Sequence, residues 1–335
     1  MSTGNSLPAN PFYASPEQRV ALARQRFFED GVRPSGMVSE AVIQSWSRCL
    51  RSHPDPARPA VFEPVTTSRM HGALRSNRAL LEAAADEMER LRVTLAGTSG
   101  TAMLTDAQGV IIGSTFTQAR SHERLMPITT RIGVNLAEEV VGTNAPGITA
   151  RTGQPSVVQG SEHFFGNVQM MYCAAAPIRD VRGQLAGVLD LSSEGLPFGF
   201  DAASVVAHYA AEIENRLLFA QSTDHLVVRM QISPALPDTP LAALVGTTGD
   251  GRIDWPNGAA PRLLGLTAPL GQRGTAWVED CFGVPLGSLT ALSTRREAQT
   301  LHLPTGLTLW LRCEWRSPDA HHELHAARPA PSAPA

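Results

Sequence analysis

Lysine is absent from all 335 residues; the 28 basic side chains are arginine without exception. That absence removes several chemistries at once. A Walker-type phosphate loop needs a Lys point charge on the β/γ-phosphates. The flat guanidinium fork of Arg differs from it in shape and reach. Schiff-base catalysis and a kinase-type catalytic Lys fall on the same ground. Cysteine is scarce: Cys49, Cys173, Cys281 and Cys313 are far apart and form no C-x-x-C pair, which suits reduced thiols in a cytoplasmic protein. No apolar run approaches the ~20 residues of a membrane span, and the first residues, MSTGNSLPANPFYAS, lack the charged and apolar blocks of a signal peptide. A net charge of -3 gives no reason to expect the basic patch that usually marks a nucleic-acid-binding surface.

What is present is ordinary globular composition, 43% hydrophobic, with room for two domains. Ser15-Pro-Glu-Gln18 is a capping box that starts a helix running to about Glu29. A second helix gathers Val42, Ile43, Trp46, Cys49 and Leu50 on one side and stops before His53-Pro-Asp-Pro56. A third is expected from Ser76 to Ala96, with Leu81, Ala84, Met88, Leu91 and Leu95 as its stripe and Gly97 as its cap. The period then changes to that of strands. TAMLTD (101–106) and GVIIGS (109–114) form one hairpin, and MYCAAAPIRD (171–180) and GQLAGVLDLS (183–192) form another. Asp201 caps a closing helix bearing Val206, Ala210, Ile213, Leu217 and Ala220. After a proline-bearing segment, ISPALPDTP, LAALVG (241–246) and RIDW (252–255) repeat the hairpin device, and a last hairpin turns at Pro304-Thr-Gly306. The fold class is therefore α+β. The boundaries expected are an N-terminal extension with one helix (1–30), a helical segment (31–75), a sensory domain (76–222), a linker (223–240), a smaller α+β domain (241–316) and a disordered tail (317–335).

Between the first two hairpins lies LAEEVVGTNAPGITARTG (136–153), whose glycines suggest a phosphate cradle. The charge is wrong for that: Arg151 is the nearest basic residue, and it sits at the far end of the helix, where the dipole disfavours anions. The better reading is a short roof helix ended by Gly142, then a helix over 145–152 capped by Thr143 or Asn144.

SWSRC (45–49), GVNLAEEVVGTNAPGITARTGQPSVVQGSEHF (133–164) and CAAAPIRDVRGQLAGVLDLS (173–192) resemble the N-terminal sensory half of the acetoin-catabolism-regulator family of sigma-54-dependent transcriptional activators. LVGTTGDGRIDWPNGAAPRLLGL (244–266) is similar to the PAS-like segment that follows the GAF domain there. The resemblance implies a GAF sensory domain whose elements between the two hairpins roof a pocket, a small-molecule effector and a dimer packed through the helices at 76–96 and 201–222. It also implies an AAA+ ATPase and a helix-turn-helix downstream. Neither is expected within these 335 residues, so the readout should pass to a partner regulator protein, without direct contact to nucleic acid or membrane.

On that reading the candidate ligand-contacting residues are Asn144, Glu162, His163, Phe164, Met171, Tyr172 and Cys173. Asn144 is first a backbone cap. Glu162 and His163 either face the pocket or order their own loop. Strand alternation sends Met171 and Cys173 to one face and Tyr172 to the other. A buried free Cys behaves as a small hydrophobe, so packing is preferred to redox sensing at Cys173. No catalytic residue, metal site or cofactor is expected. An apolar pocket with few polar groups suits a weakly polar ketone, alcohol or aromatic. Two other readings are a regulator that holds DNA through the helix of Arg48 and Arg51, and a remnant without output. An enzyme of the methionine-sulfoxide-reducing kind would need paired cysteines, and Cys173 stands alone in its domain. Trp255, Trp277, Trp310 and Trp315 are read as structural, and His321, His322 and His325 are given no role.

Overall fold

Short polar side chains start several of the helices in the computed structural model, which describes residues 15–266, 276–295 and 297–316. The expectations for the tail at 317–335, and for residues 1–14, lie outside the described residues. The chain divides into two units, one running up to 179 and resuming over 185–214, the other comprising 180–184 and 215 onward.

In the first unit, Ser15 and Ser39 accept backbone N–H groups at the heads of α1 (Pro16–Phe28) and α2 (Glu40–Ser52). The helix expected over 76–96 is α4 (Arg78–Thr94); a further helix, α3 (Thr67–Ser76), precedes it and is set off at Asn77, whose side-chain amide donates to the Ala73 carbonyl. α4 ends short of Gly97: Leu95, buried, closes it in a right-handed conformation. β1 (Thr101–Asp106) and β2 (Ile111–Ser114) follow, and then the roof elements α5 (Met126–Thr129), α6 (Glu138–Val141) and α7 (Ala145–Thr152). β3 (Ser156–Gln159), β4 (Met171–Arg179), β5 (Leu185–Glu194) and α8 (Ala202–Gln221) complete the set, with Asp201 accepting the Ser204 N–H at 3.1 Å at the head of α8. The sheet order is β2-β1-β5-β4-β3, all antiparallel. The turn aspartates Asp106 and Asp180 each accept two backbone N–H groups, which fixes both hairpins.

Two expectations are corrected here. Most of the residues in the stripes of α4 and α8 thought to pair between copies are buried within the single chain: Ala84, Leu91 and Leu95 on one, with Leu81 and Met88 half-buried, and Val206, Ala210, Ile213 and Leu217 on the other. The helical segment 31–75 is not a separate module either, because Trp46, Ile43 and Val42 share one apolar core with Phe164, Ile148 and Cys173.

The second unit corrects a third. His225–Gln231, placed by sequence in a linker, is a strand, β6, at the centre of a sheet ordered β8-β7-β6-β10-β9. Its partners are β7 (Ala243–Thr247) and β10 (Thr308–Arg316); β8 (Ile253–Pro256) and β9 (Gln299–His302) are the edges. Leu226, Val227, Val228 and Met230 are fully buried, which outweighs the prolines that follow them. Short helices α9 (Ala260–Leu264), α10 (Val278–Phe282) and α11 (Leu286–Leu292) pack Leu264, Phe282 and Leu289 onto one face. Trp255 is buried in a second cluster with Leu218 and Leu244, whereas Trp277 and Trp315 are exposed.

Candidate ligand cavity

A cavity of about 40 Å³ lies between the first sheet and its roof. Its floor is set by strand register. Met103 on β1 stands directly opposite Asp190 on β5, and Cys173 on β4 stands opposite Ser192. With Met171, two residues before Cys173, these side chains share one face of the pleat. The roof comprises Thr129 of α5, Leu136, Val141, Asn144 and Pro146 around α6 and α7, and His163 and Val168 of the loop before β4.

Each roof element is pinned. The buried Glu194 carboxylate accepts the backbone N–H groups of Arg124, Leu125 and Met126 at 2.8, 2.8 and 2.9 Å, which holds the head of α5 and so places Thr129. Gly142 turns the chain between α6 and α7 at φ 73°, ψ -167°, a region open essentially only to glycine. A Cβ there would stand 2.8 Å from Cβ of Phe164. Asn144 Oδ1 accepts from Gly147 N at 2.8 Å, and its Nδ2 donates to the Leu136 and Gly142 carbonyls at 2.9 and 2.7 Å.

The SWSRC segment of α2 clamps two of these elements together. Ser45 Oγ donates to Thr143 Oγ1 at 2.8 Å. Trp46 Nε1 donates to the Glu162 carbonyl at 2.7 Å. Arg48 grips Glu138 with two bonds, 2.7 and 2.8 Å, and the Glu138 side chain is only 4% exposed. Helix α1 adds Arg24, whose guanidinium donates to the carbonyls of His163 and Phe164 at 2.8 and 2.6 Å and lies 4.6 Å from the Phe28 ring centroid. Around them Phe27, Phe28, Trp46, Phe164 and Phe165 make successive ring contacts at 5.0–5.5 Å.

The polar groups in the cavity form a short network. The Gly160 carbonyl can only accept, so His163 Nδ1 carries the proton at 3.1 Å and Nε2 offers a lone pair to Cys173 Sγ at 3.6 Å. Burial pushes the imidazole down to about 4 and the Cys173 thiol upward, so both are neutral at pH 7 and the thiol donates to the ring. Ser192 Oγ lies 2.6 Å from Asp190 Oδ2, to which it donates, and 3.1 Å from Cys173 Sγ. Asp190 is fully buried, and burial pushes its carboxyl up to about 7. Among the described residues, no group meets Asp190 Oδ1 or Thr129 Oγ1, although both atoms are buried.

The residues expected from sequence thus separate. Asn144, His163, Met171 and Cys173 line the cavity. Glu162 does not: its carboxylate accepts the Gln159 N–H at 2.9 Å and closes a turn, and burial raises it to about 7. Phe164 packs under α2 and is fully buried. Tyr172 falls on the opposite face of β4, as alternation requires. Cys49 is a buried thiol raised chiefly by desolvation. Sequence reasoning missed Asp190, Ser192 and Thr129. Asp190 had a signal: it is the one charged residue in the apolar run Val188-Leu-Asp-Leu191. Among the described residues no three His, Cys, Asp or Glu side chains converge on a metal position, and no helix is long and apolar enough to cross a membrane.

The comparisons with known proteins agree with this architecture. The E. coli DhaR(N)-DhaL complex contains a chain that superposes with a TM-score of 0.50 at 16% identity, over 82% of this chain and 99% of that one. The fold is α+β and GAF-like. The propane 2-monooxygenase operon transcriptional activator MimR of Mycolicibacterium smegmatis is 32% identical over 51% of this chain and 28% of its own length. The acetoin dehydrogenase operon transcriptional activator AcoR of Bacillus subtilis is 29% identical over 57% and 32%. The acetoin catabolism regulatory protein of Cupriavidus necator is 29% identical over 67% and 34%. The chain therefore spans about a third of the length of these regulators. The model described as MimR, N-terminal domain, matches residues 16–196, from the first helix to the end of β5, and the chain belongs to that family.

Proposed function

We propose that the chain is the sensing part of a transcriptional regulatory system, in which a small, weakly polar metabolite enters the cavity between sheet and roof and the outcome is passed on by protein contact. The observation that carries this reading is the cavity itself: an apolar space, roofed by pinned loops, with a few convergent polar groups, which is the usual form of a small-molecule site. The relatives, named as transcriptional activators, support the regulatory setting. The crystallised complex of DhaR(N) with DhaL supports a protein as the receiver.

The clamp suggests how occupancy is read. His163 lines the cavity, while its own carbonyl is held by Arg24 of α1 and the preceding one by Trp46 of α2. A ligand that shifts the 160–168 loop must strain those bonds, so it favours one placement of the N-terminal helices over another. Isothermal titration with small ketones and alcohols tests this, together with mass spectrometry of compounds released from the purified protein. One saturable site is expected. Absence of heat with every compound, and of any released molecule, would overturn the reading.

A further inference from the structure

Resting on the sensing role proposed above, we infer that Asp190 determines specificity at the cavity, selecting a small uncharged ligand that presents an oxygen to Asp190 Oδ1. The size follows from the space. The space, about 40 Å³, exceeds the about 10–15 Å³ that a single water needs, so a small organic molecule fits. It is smaller than the roughly 150 Å³ cavity that accommodates benzene, which favours small ligands over aromatic rings.

The chemistry follows from the inventory of partners. Of the polar side chains bordering the space, Asn144 has its amide fully engaged with backbone, and His163 and Cys173 face each other. Ser192 is turned to Asp190 Oδ2. What remains is one buried carboxyl oxygen and one buried hydroxyl, Thr129 Oγ1. A buried polar atom without a partner is rare and costly, and a ligand oxygen supplies the missing bond. An anionic ligand is disfavoured because no Arg lines the cavity and Asp190 would meet it with a carboxylate or a bare acid. A cationic ligand would have to be stripped of water against an otherwise apolar wall, with a single carboxylate in return. An oxygen is suited to either protonation state of Asp190: an alcohol donates to the carboxylate, and an alcohol or ketone accepts from the acid.

The test uses four probes matched at four heavy atoms: 1-propanol, acetone, propylammonium and acetate. Each is titrated into the full chain at pH 6.5, and binding is read by ligand-observed NMR. Circular dichroism confirms that the variants Asp190→Asn, Asp190→Ala and Thr129→Val are folded. 1-Propanol and acetone are expected to bind at least tenfold more tightly than propylammonium or acetate. Asp190→Ala should weaken both neutral ligands about tenfold, and Asp190→Asn, which keeps a polar group in place, should weaken them less. Thr129→Val reads the second open position and should weaken 1-propanol severalfold. Preferential binding of acetate or propylammonium, or neutral binding unaltered in Asp190→Ala and Thr129→Val alike, overturns this assignment while leaving the sensing role standing. Failure of all four probes, together with silence from the broader ketone and alcohol series, defeats both.

Discussion

Replacing Asp190 by Asn should make the first unit's stability depend on pH in a defined way. The native carboxyl is fully buried and holds its proton up to about 7, whereas in the unfolded chain it ionises near its ordinary 3.8. Between those values the folded state binds more protons than the unfolded state, so stability falls as pH rises. The loss is complete above pH 7. At about 1.4 kcal/mol per pH unit the whole interval amounts to roughly 4 kcal/mol. Asn carries no charge at any pH, so the variant escapes this loss. Its stability relative to the parent should rise by about 2 kcal/mol between pH 5.5 and 7 and then level off. Glu162, raised to about 7, and His163, lowered to about 4, titrate in both proteins and cancel in the difference. The assay must see the first unit alone. Cys49 and Cys173 are buried there, whereas Cys281 and Cys313 lie in the second unit. Urea unfolding read by pulsed maleimide labelling of Cys49 and Cys173 therefore isolates the relevant transition. A difference between variant and parent that stays constant from pH 5.5 to 8.5 would refute the claim that Asp190 is buried without a compensating charge.

Three further outcomes follow from the packing. Arg48→Met leaves the Glu138 carboxylate buried without its cation and should cost about 3–5 kcal/mol, with most of it recovered when Glu138→Gln is added; a double-mutant cycle in urea checks this. Gly142→Ala combines backbone strain of about 1–3 kcal/mol with a clash of similar size against Phe164, and should lower the first unit's unfolding midpoint by more than any alanine substitution of an exposed residue on α4. Gly246→Ala places a Cβ 2.1 Å from Nε1 of Trp255, directly across the β7–β8 pair, and should cost the second unit about 1–3 kcal/mol or more, read by calorimetry.

Local chemistry in the sequence was a good guide wherever the deciding partner lay a few residues away. Ser15, Ser39, Asn144 and Asp201 cap helices through their own side chains, and Asp106 and Asp180 build the hairpin turns, all within four residues of their partners. Legibility failed where partners are distant. β6 follows α8 after only three residues and lies beside three prolines, at 234, 237 and 240, so its central place depends on pairing with β10 some eighty residues later. Glu162 and Phe164 carry the same motif as His163, yet only His163 lines the cavity, because Arg24 and Trp46 seize the intervening carbonyls from outside. Asp190 passed as part of a strand, since only the register against Met103 and the roof above it decides which face it takes.

The grip of α1 and α2 on the roof also says where this sensor begins as a physical object. Cut the chain at residue 76 and Glu138 loses its cation, Thr143 its hydroxyl partner, and Phe164 the Phe28 and His53 rings against it. A piece expressed on its own therefore has to reach back at least to Ser15, one residue before the family match begins, and some sixty before a cut at residue 76.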